Sequence, residues 1–213
     1  APKSAFIEGG KFFKKYSIHA TYFVSLGMLG KDSPSGVIGD VVDLRNAINE
    51  GHELGCHTFD HKHPWETKTD LFIESIKKNR ESLSKIFPEQ SFSSFAYPIG
   101  GPTRPETKKK TGQLFDCCRV GGQICNSGSI DLNMLKAFFL DSRIEKTVDD
   151  IKRVIDDTIA TNGWLIFATH DISDNPSRYG CSIDFFEKIV SYSISSGASL
   201  LSVTEAFHKI HSG

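Results

Sequence analysis

The sequence predicts an α/β fold in which parallel strands alternate with helices. Two observations carry this reading. Short apolar runs such as "HATYFV" (19–24) and "GWLIFATH" (163–170) alternate six or seven times with stretches of helical periodicity. Consecutive parallel strands need a crossover, and a helix supplies it. The 213 residues, 24% charged and 38% hydrophobic, suit a single globular domain over 1–213. A chain of this size buries roughly 70% of its unfolded surface. Periodicity fits a barrel and a doubly wound sheet equally well.

Residues 4–15 read as a helix, followed by a strand over 19–24. A helix over 40–49 is punctuated by Gly51, and a short buried strand lies at Leu54–Cys56. Phe72, Ile73, Ile76, Leu83 and Ile86 form a helical stripe over 70–87, stopped by Pro88. "FSSFAYP" (92–98) is a strand running into a Gly/Pro loop, then a helix near 105–113 and a strand near 115–120. "KAFFLD" (136–141) is the next strand, and Thr147 with Asp150 forms a capping box for a helix over 148–161. The strand 163–170 follows. Phe186, Ile189, Val190 and Ile194 mark a helix ended by Gly197. "ASLLSV" (198–203) reads as the last strand, and a short helix starts near Thr204.

Net charge is near −1, with no basic stripe, so nothing points to nucleic acid. No apolar run approaches the ~20 residues of a membrane span. The five cysteines include an adjacent pair and no CxxC, which fits buried free thiols better than a disulfide framework or a thiolate zinc site. Free thiols, with no leader at the start of this numbering, lean slightly toward a cytoplasmic compartment. Oligomeric state is not legible.

"GHELGCHTFDH" (51–61) places His57 and His61 four apart after a strand. On one helical turn, two imidazoles at this spacing share a face and can reach one ion. The pair alone is equally a loop with solvated histidines. His170 ends another strand, and Tyr97-Pro98-Ile99-Gly100 follows a third. In a barrel these three strand ends share the face that carries catalytic loops.

These segments together resemble the polysaccharide deacetylase family, the NodB-type carbohydrate esterases. His57-Thr58-Phe59-Asp60-His61 matches its H-[ST]-x-x-H motif, Phe95-Ala96-Tyr97-Pro98-Ile99-Gly100 its FAYPxG variant, and "LIFATH" its strand ending in histidine. The resemblance implies a distorted, incomplete (β/α) barrel of about seven strands. The family's T-F-D-D motif, which supplies a third metal ligand and a base, is not found ahead of the first helix. The first strand is therefore expected to be missing or truncated.

The resemblance implies removal of N-acetyl groups from a glycan by a hydrolase that uses Zn²⁺ or another divalent transition metal. His57 and His61 would ligate the metal. His170 would be the catalytic acid, with Asp141 and Arg119 in supporting catalytic roles. Tyr97, Pro98 and Gly100 would meet substrate, the Tyr97 backbone N–H facing the oxyanion. Asp141 and Arg119 read equally as surface ion-pair residues. Phe59, Trp65 and Tyr179 lie near the expected rim. Two other readings stay open: a non-catalytic carbohydrate-binding relative, and a metal-independent C–N hydrolase of small cyclic amides.

Overall fold

The computed structural model describes residues 1–211. Six parallel strands form one sheet in strictly sequential order: β1 (Thr21–Val24), β2 (Glu53–Cys56), β3 (Ser94–Ala96), β4 (Cys117–Gly121), β5 (Leu135–Phe139) and β6 (Ile166–Ala168). The sequential order makes each crossover step to the next strand, as in a barrel rather than a doubly wound sheet. Seven α-helices are described: α1 (Gly10–Tyr16), α2 (Val41–Asn49), α3 (Thr69–Ile86), α4 (Pro105–Gly112), α5 (Val148–Ala160), α6 (Ile183–Ser195) and α7 (Val203–His211). A π-helical stretch, Ala5–Gly9, leads into α1. β1 and β6 share no ladder, so the curved sheet is an open half-barrel.

The helix ends follow their sequence signals. Asp40 caps α2 and exchanges hydrogen bonds with Asp43, and Thr147 does the same with Asp150 at α5. Gly51 and Gly197 take the left-handed backbone just beyond α2 and α6.

Strand alternation sorts the side chains into an outer and an inner set. Outward residues Tyr22, Val24, Leu54, Cys56, Phe95 and Cys118 pack with Leu44 of α2 and Phe72, Ile76 and Leu83 of α3. Phe138 and Leu140 pack with Ile151 and Ile155 of α5 and Phe186 and Ile189 of α6. Each such buried side chain contributes roughly 1.5–3 kcal/mol. Inward, β1 presents Thr21 and Phe23, β2 Glu53 and Gly55, and β4 Cys117 and Arg119. Gly55 is required there, because a Cβ would stand 2.5 Å from the Phe23 ring.

At the floor of the half-barrel, Glu53 binds strands to α7. Its carboxylate accepts from Thr21 Oγ1 (2.7 Å), Thr204 Oγ1 (2.6 Å), Thr204 N (3.0 Å) and Ser94 Oγ. Four of the five cysteines are buried and all five are free thiols.

Two expectations need correction. Residues 198–203 do not form a strand, so the sheet has six strands rather than about seven. The amides there are taken by other groups: Ala198 N by Ser193 O, Ser202 N by Glu205 Oε2 and Val203 N by Thr21 Oγ1. The segment becomes an entry to α7 instead of a ladder partner. β6 is also shorter than 163–170, because Trp164 pairs in an antiparallel bridge with Asn126 and leaves the ladder.

Candidate active site

The open side of the half-barrel leads into a cavity of about 1140 Å³ that runs from the strand ends down to α5, α6 and α7. His57, His61, Arg119 and His170 line it, with Phe23 and Phe139 as walls. The three histidines arrive from the turns that follow β2 and β6, and Arg119 from the middle of β4.

The turn after β2 is not helical, contrary to the expectation for a histidine pair four apart. Thr58 and His61 both take positive φ, 59° and 56°. The chain therefore coils back, and the two imidazole centroids stand 4.9 Å apart at 70°. Several bonds fix this coil. Ser25 Oγ donates to His57 O (2.8 Å), His57 N to Val24 O (3.1 Å) and Lys62 N to Thr58 Oγ1 (3.0 Å). Gly27 N donates to Phe59 O (2.8 Å), an approach so close that a Cβ on Gly27 would overlap Phe59.

His57 Nδ1 lies 2.7 Å from Ala96 O, which fixes Nδ1 as the protonated nitrogen and leaves Nε2 with its lone pair free. Burial holds His57 well below the ordinary histidine pKa, reinforced by the neighbouring His61 and Arg119. His61 is lowered too, chiefly by desolvation. Neutral imidazoles are the form that ligates a metal. The carboxylate of the same motif, Asp60, is turned to Ser75 (2.6 Å) and Lys62 (3.0 Å) instead. Among the described residues, no group of three His, Cys, Asp or Glu side chains could hold a metal ion. The two imidazoles fit as part of a ligand set that these residues do not complete.

Arg119 stands between two aromatic rings, its guanidinium carbon 4.7 Å from the Phe23 centroid and 5.8 Å from that of Phe139. No carboxylate pairs with it among the described residues. Desolvation lowers its pKa to about 10, which leaves it charged at neutral pH.

His170 stacks on Phe139 at 6.1 Å and 14°, and its Nδ1 lies 3.1 Å from Tyr179 O. Burial lowers its pKa to about 4, with Arg119 and Arg143 adding to the fall. The imidazole is therefore neutral at pH 7.

The remaining sequence candidates are placed differently from expectation. Tyr97 N donates to Arg119 O (2.9 Å), so this amide is committed to the sheet and is not free for an oxyanion. The Tyr97 ring is fully buried beside Phe72 and Phe95. Pro98 is buried as well, while Gly100 and the exposed Ile99 border the cleft. Ile99 has φ 68°, a costly conformation for a β-branched residue. Asp141 does not reach His170. Its fully buried carboxylate binds Arg143 through Arg143 N (3.0 Å) and Nε (3.0 Å). Of the rim aromatics, Tyr179 lines the cleft, Trp65 is exposed, and Phe59 packs against the core with Lys78 over its ring. Sequence reasoning missed Phe23 and Arg143. The inward parity of β1 marks Phe23, and Arg143 lies in the turn four residues beyond the end of β5, where barrel sites are built.

A half-open parallel β/α barrel with polar side chains gathered toward the C-terminal ends of its strands defines the class as an open, distorted β/α barrel. The polysaccharide deacetylase family pattern matches residues 5–114, and the chain belongs to that family. The family is that of the polysaccharide deacetylases. No curated protein matches the chain.

Among solved structures, a family 4 acetyl xylan esterase from Clostridium thermocellum, in complex with a cobalt ion, is 18% identical. The match covers 98% of this chain and 86% of the esterase, with a TM-score of 0.65. A CE4 family pseudoenzyme from Bacillus anthracis is 12% identical over 95% of this chain, with a TM-score of 0.65, and the chain spans 60% of its length. IcaB from Ammonifex degensii is 21% identical over 56% of either chain, with a TM-score of 0.51. At these identities the likeness shows the fold.

Proposed function

We propose that this chain is the catalytic domain of a metal-dependent hydrolase that removes N-acetyl groups from a carbohydrate. The observation that carries the reading is the convergence of His57, His61, Arg119 and His170 on one cleft, in a chain of the deacetylase family. His57, through its free Nε2, and His61 would hold Zn²⁺ or a similar ion. Among the described residues no third His, Cys, Asp or Glu joins them. When bound, such an ion polarises a carbonyl and acidifies a water.

The chain's own residues do the rest. Arg119 places a fixed positive charge where a carboxylate or a developing oxyanion can use it. Phe23 and Phe139 keep that charge partly dry, which strengthens it. His170 is neutral in the free cleft, and negative charge arriving beside it raises its proton affinity. It would then carry a proton to the leaving amine.

The test uses the natural full-length chain, with acetate release from N-acetylglucosamine oligomers measured in Zn²⁺ or Co²⁺. His57→Ala and His61→Ala should each lower turnover at least 100-fold and abolish the visible absorption of bound Co²⁺, with the circular dichroism spectrum unchanged. No acetate release and no Co²⁺ spectrum in the parent protein would defeat the proposal.

One observation favours a second reading, a non-catalytic carbohydrate binder: among the described residues no Asp or Glu lines the cleft. A Bacillus anthracis relative is described as a pseudoenzyme, and a mutant of it as having restored activity. That reading predicts glycan binding without acetate release, unchanged by His170→Ala. A metal-independent C–N hydrolase would keep its full activity in chelator.

A further inference from the structure

The rim beside His170 contains a built cationic feature that hydrolysis of an uncharged acetyl group does not use. Arg143 lies half-exposed over a fully buried Asp141, which accepts from Nε at 3.0 Å and from Nη2. The guanidinium is also held 4.9 Å from the Tyr179 ring and 5.6 Å from Phe139. Arg178 stands on the same Tyr179 ring at 5.4 Å.

A guanidinium has five N–H donors in a rigid fork. Asp141 occupies two of them, so three are left without a partner among the described residues. A buried carboxylate and two rings thus fix the orientation of a group whose free donors border the cleft. His170 stacks on Phe139 and lies 5.7 Å from Tyr179, so both groups pack against the same two rings. Both groups therefore border the same stretch of the cleft. The carboxylates nearby are already engaged. Asp141 is used by Arg143, and Asp171 accepts from Ser177 N and Oγ, both at 2.6 Å. The lining of the cleft adds Arg119 and Lys209 and, among the described residues, no acidic side chain.

We infer that this rim recognises an acidic substituent, with Arg143 binding a carboxylate on the amino sugar being deacetylated or on its neighbour. The inference rests on the glycan deacetylase reading and names the substrate class within it: anionic rather than neutral N-acetylated glycans. Arg143 is a binding residue in this scheme, Asp141 its positioning residue, and Arg178 a weaker, exposed second cation.

Two measurements test it on the natural full-length chain. The first compares acetate release from an N-acetylated disaccharide carrying a carboxylate with release from the same disaccharide after reduction of the carboxylate to an alcohol. The second measures binding of both compounds to the His170→Ala protein by calorimetry. The acidic compound should be favoured roughly tenfold or more in kcat/KM and in affinity, as for one charged hydrogen-bonded contact. Raised salt should reduce the preference.

Arg143→Met should abolish the preference, mainly through KM. Because that change leaves Asp141 buried without its partner, Asp141→Asn/Arg143→Gln serves as a second variant, and it too should show none. Equal affinity and equal turnover for the two compounds, or a preference that survives both variants, would overturn the inference. Selective binding of the acidic compound without acetate release from either would uphold the acidic-group site while defeating the deacetylase reading.

Discussion

At the scale of single residues, His170 links the site to stability. Burial takes its pKa from 6.5 to about 4, so between these values the unfolded chain binds a proton that the folded chain refuses. The contribution is complete above about pH 6.5 and is lost as pH falls toward 4. Discounted for the open cleft, the loss from pH 7 to 4.5 is on the order of 1–2 kcal/mol. Urea unfolding across this range should show the decline, and His170→Asn should shrink it. His57 and His61 are shifted the same way and leave a residual slope. An undiminished slope in the variant would refute the assignment. The imidazole and the cations around it also explain why His170 is legible in the sequence but its protonation state is not. The strand ending in histidine is a one-dimensional pattern, whereas Arg119 and Arg143 reach it only through folding.

At the scale of elements, local signals reported the helices well and the strand ends poorly. Capping boxes at Asp40 and Thr147 and left-handed glycines at 51 and 197 act within a few residues, so sequence carries them. Whether 198–203 forms a strand depends on which group takes its amides, and Thr21 and Glu205 do. The histidine pair shows the same division. Its membership in a site follows from motif order, yet its backbone is a left-handed coil that spacing alone does not reveal.

Glu53 is the element-scale counterpart, a carboxylate that bonds two hydroxyls from neighbouring strands and the start of α7. Glu53→Ala leaves four donors to re-pair and should destabilise the fold by about 2–3 kcal/mol. Amide exchange in α7 should accelerate more than in α3. Uniform protection across both helices in the variant would show that Glu53 does not hold α7.

At the scale of the whole molecule, the sheet of the described residues has β1 and β6 at its two edges. β1 and β6 each pair with one neighbour, while β3 and β4 are laddered on both sides and covered by α3 and α4. Opening free energies should follow that order. Hydrogen exchange monitored strand by strand should find β3 and β4 the slowest and β1 and β6 the fastest. Equal protection of all six would mean that the edges are covered in solution. The alternation of strand and helix made the architecture legible. The doubly wound alternative fell only to the sequential strand order, which periodicity does not encode.

The Phe23–Arg119–Phe139 sandwich has a mechanical consequence. With no ladder closing β1 onto β6, the two lips of the cleft are joined the long way round, through five strand pairings. Arg119 of β4 packs between a ring on β1 and a ring on β5, so one side chain joins the first strand to the fifth across the inner face of the sheet. The group that gives the cleft its fixed positive charge is therefore also a packing contact between strands that share no ladder.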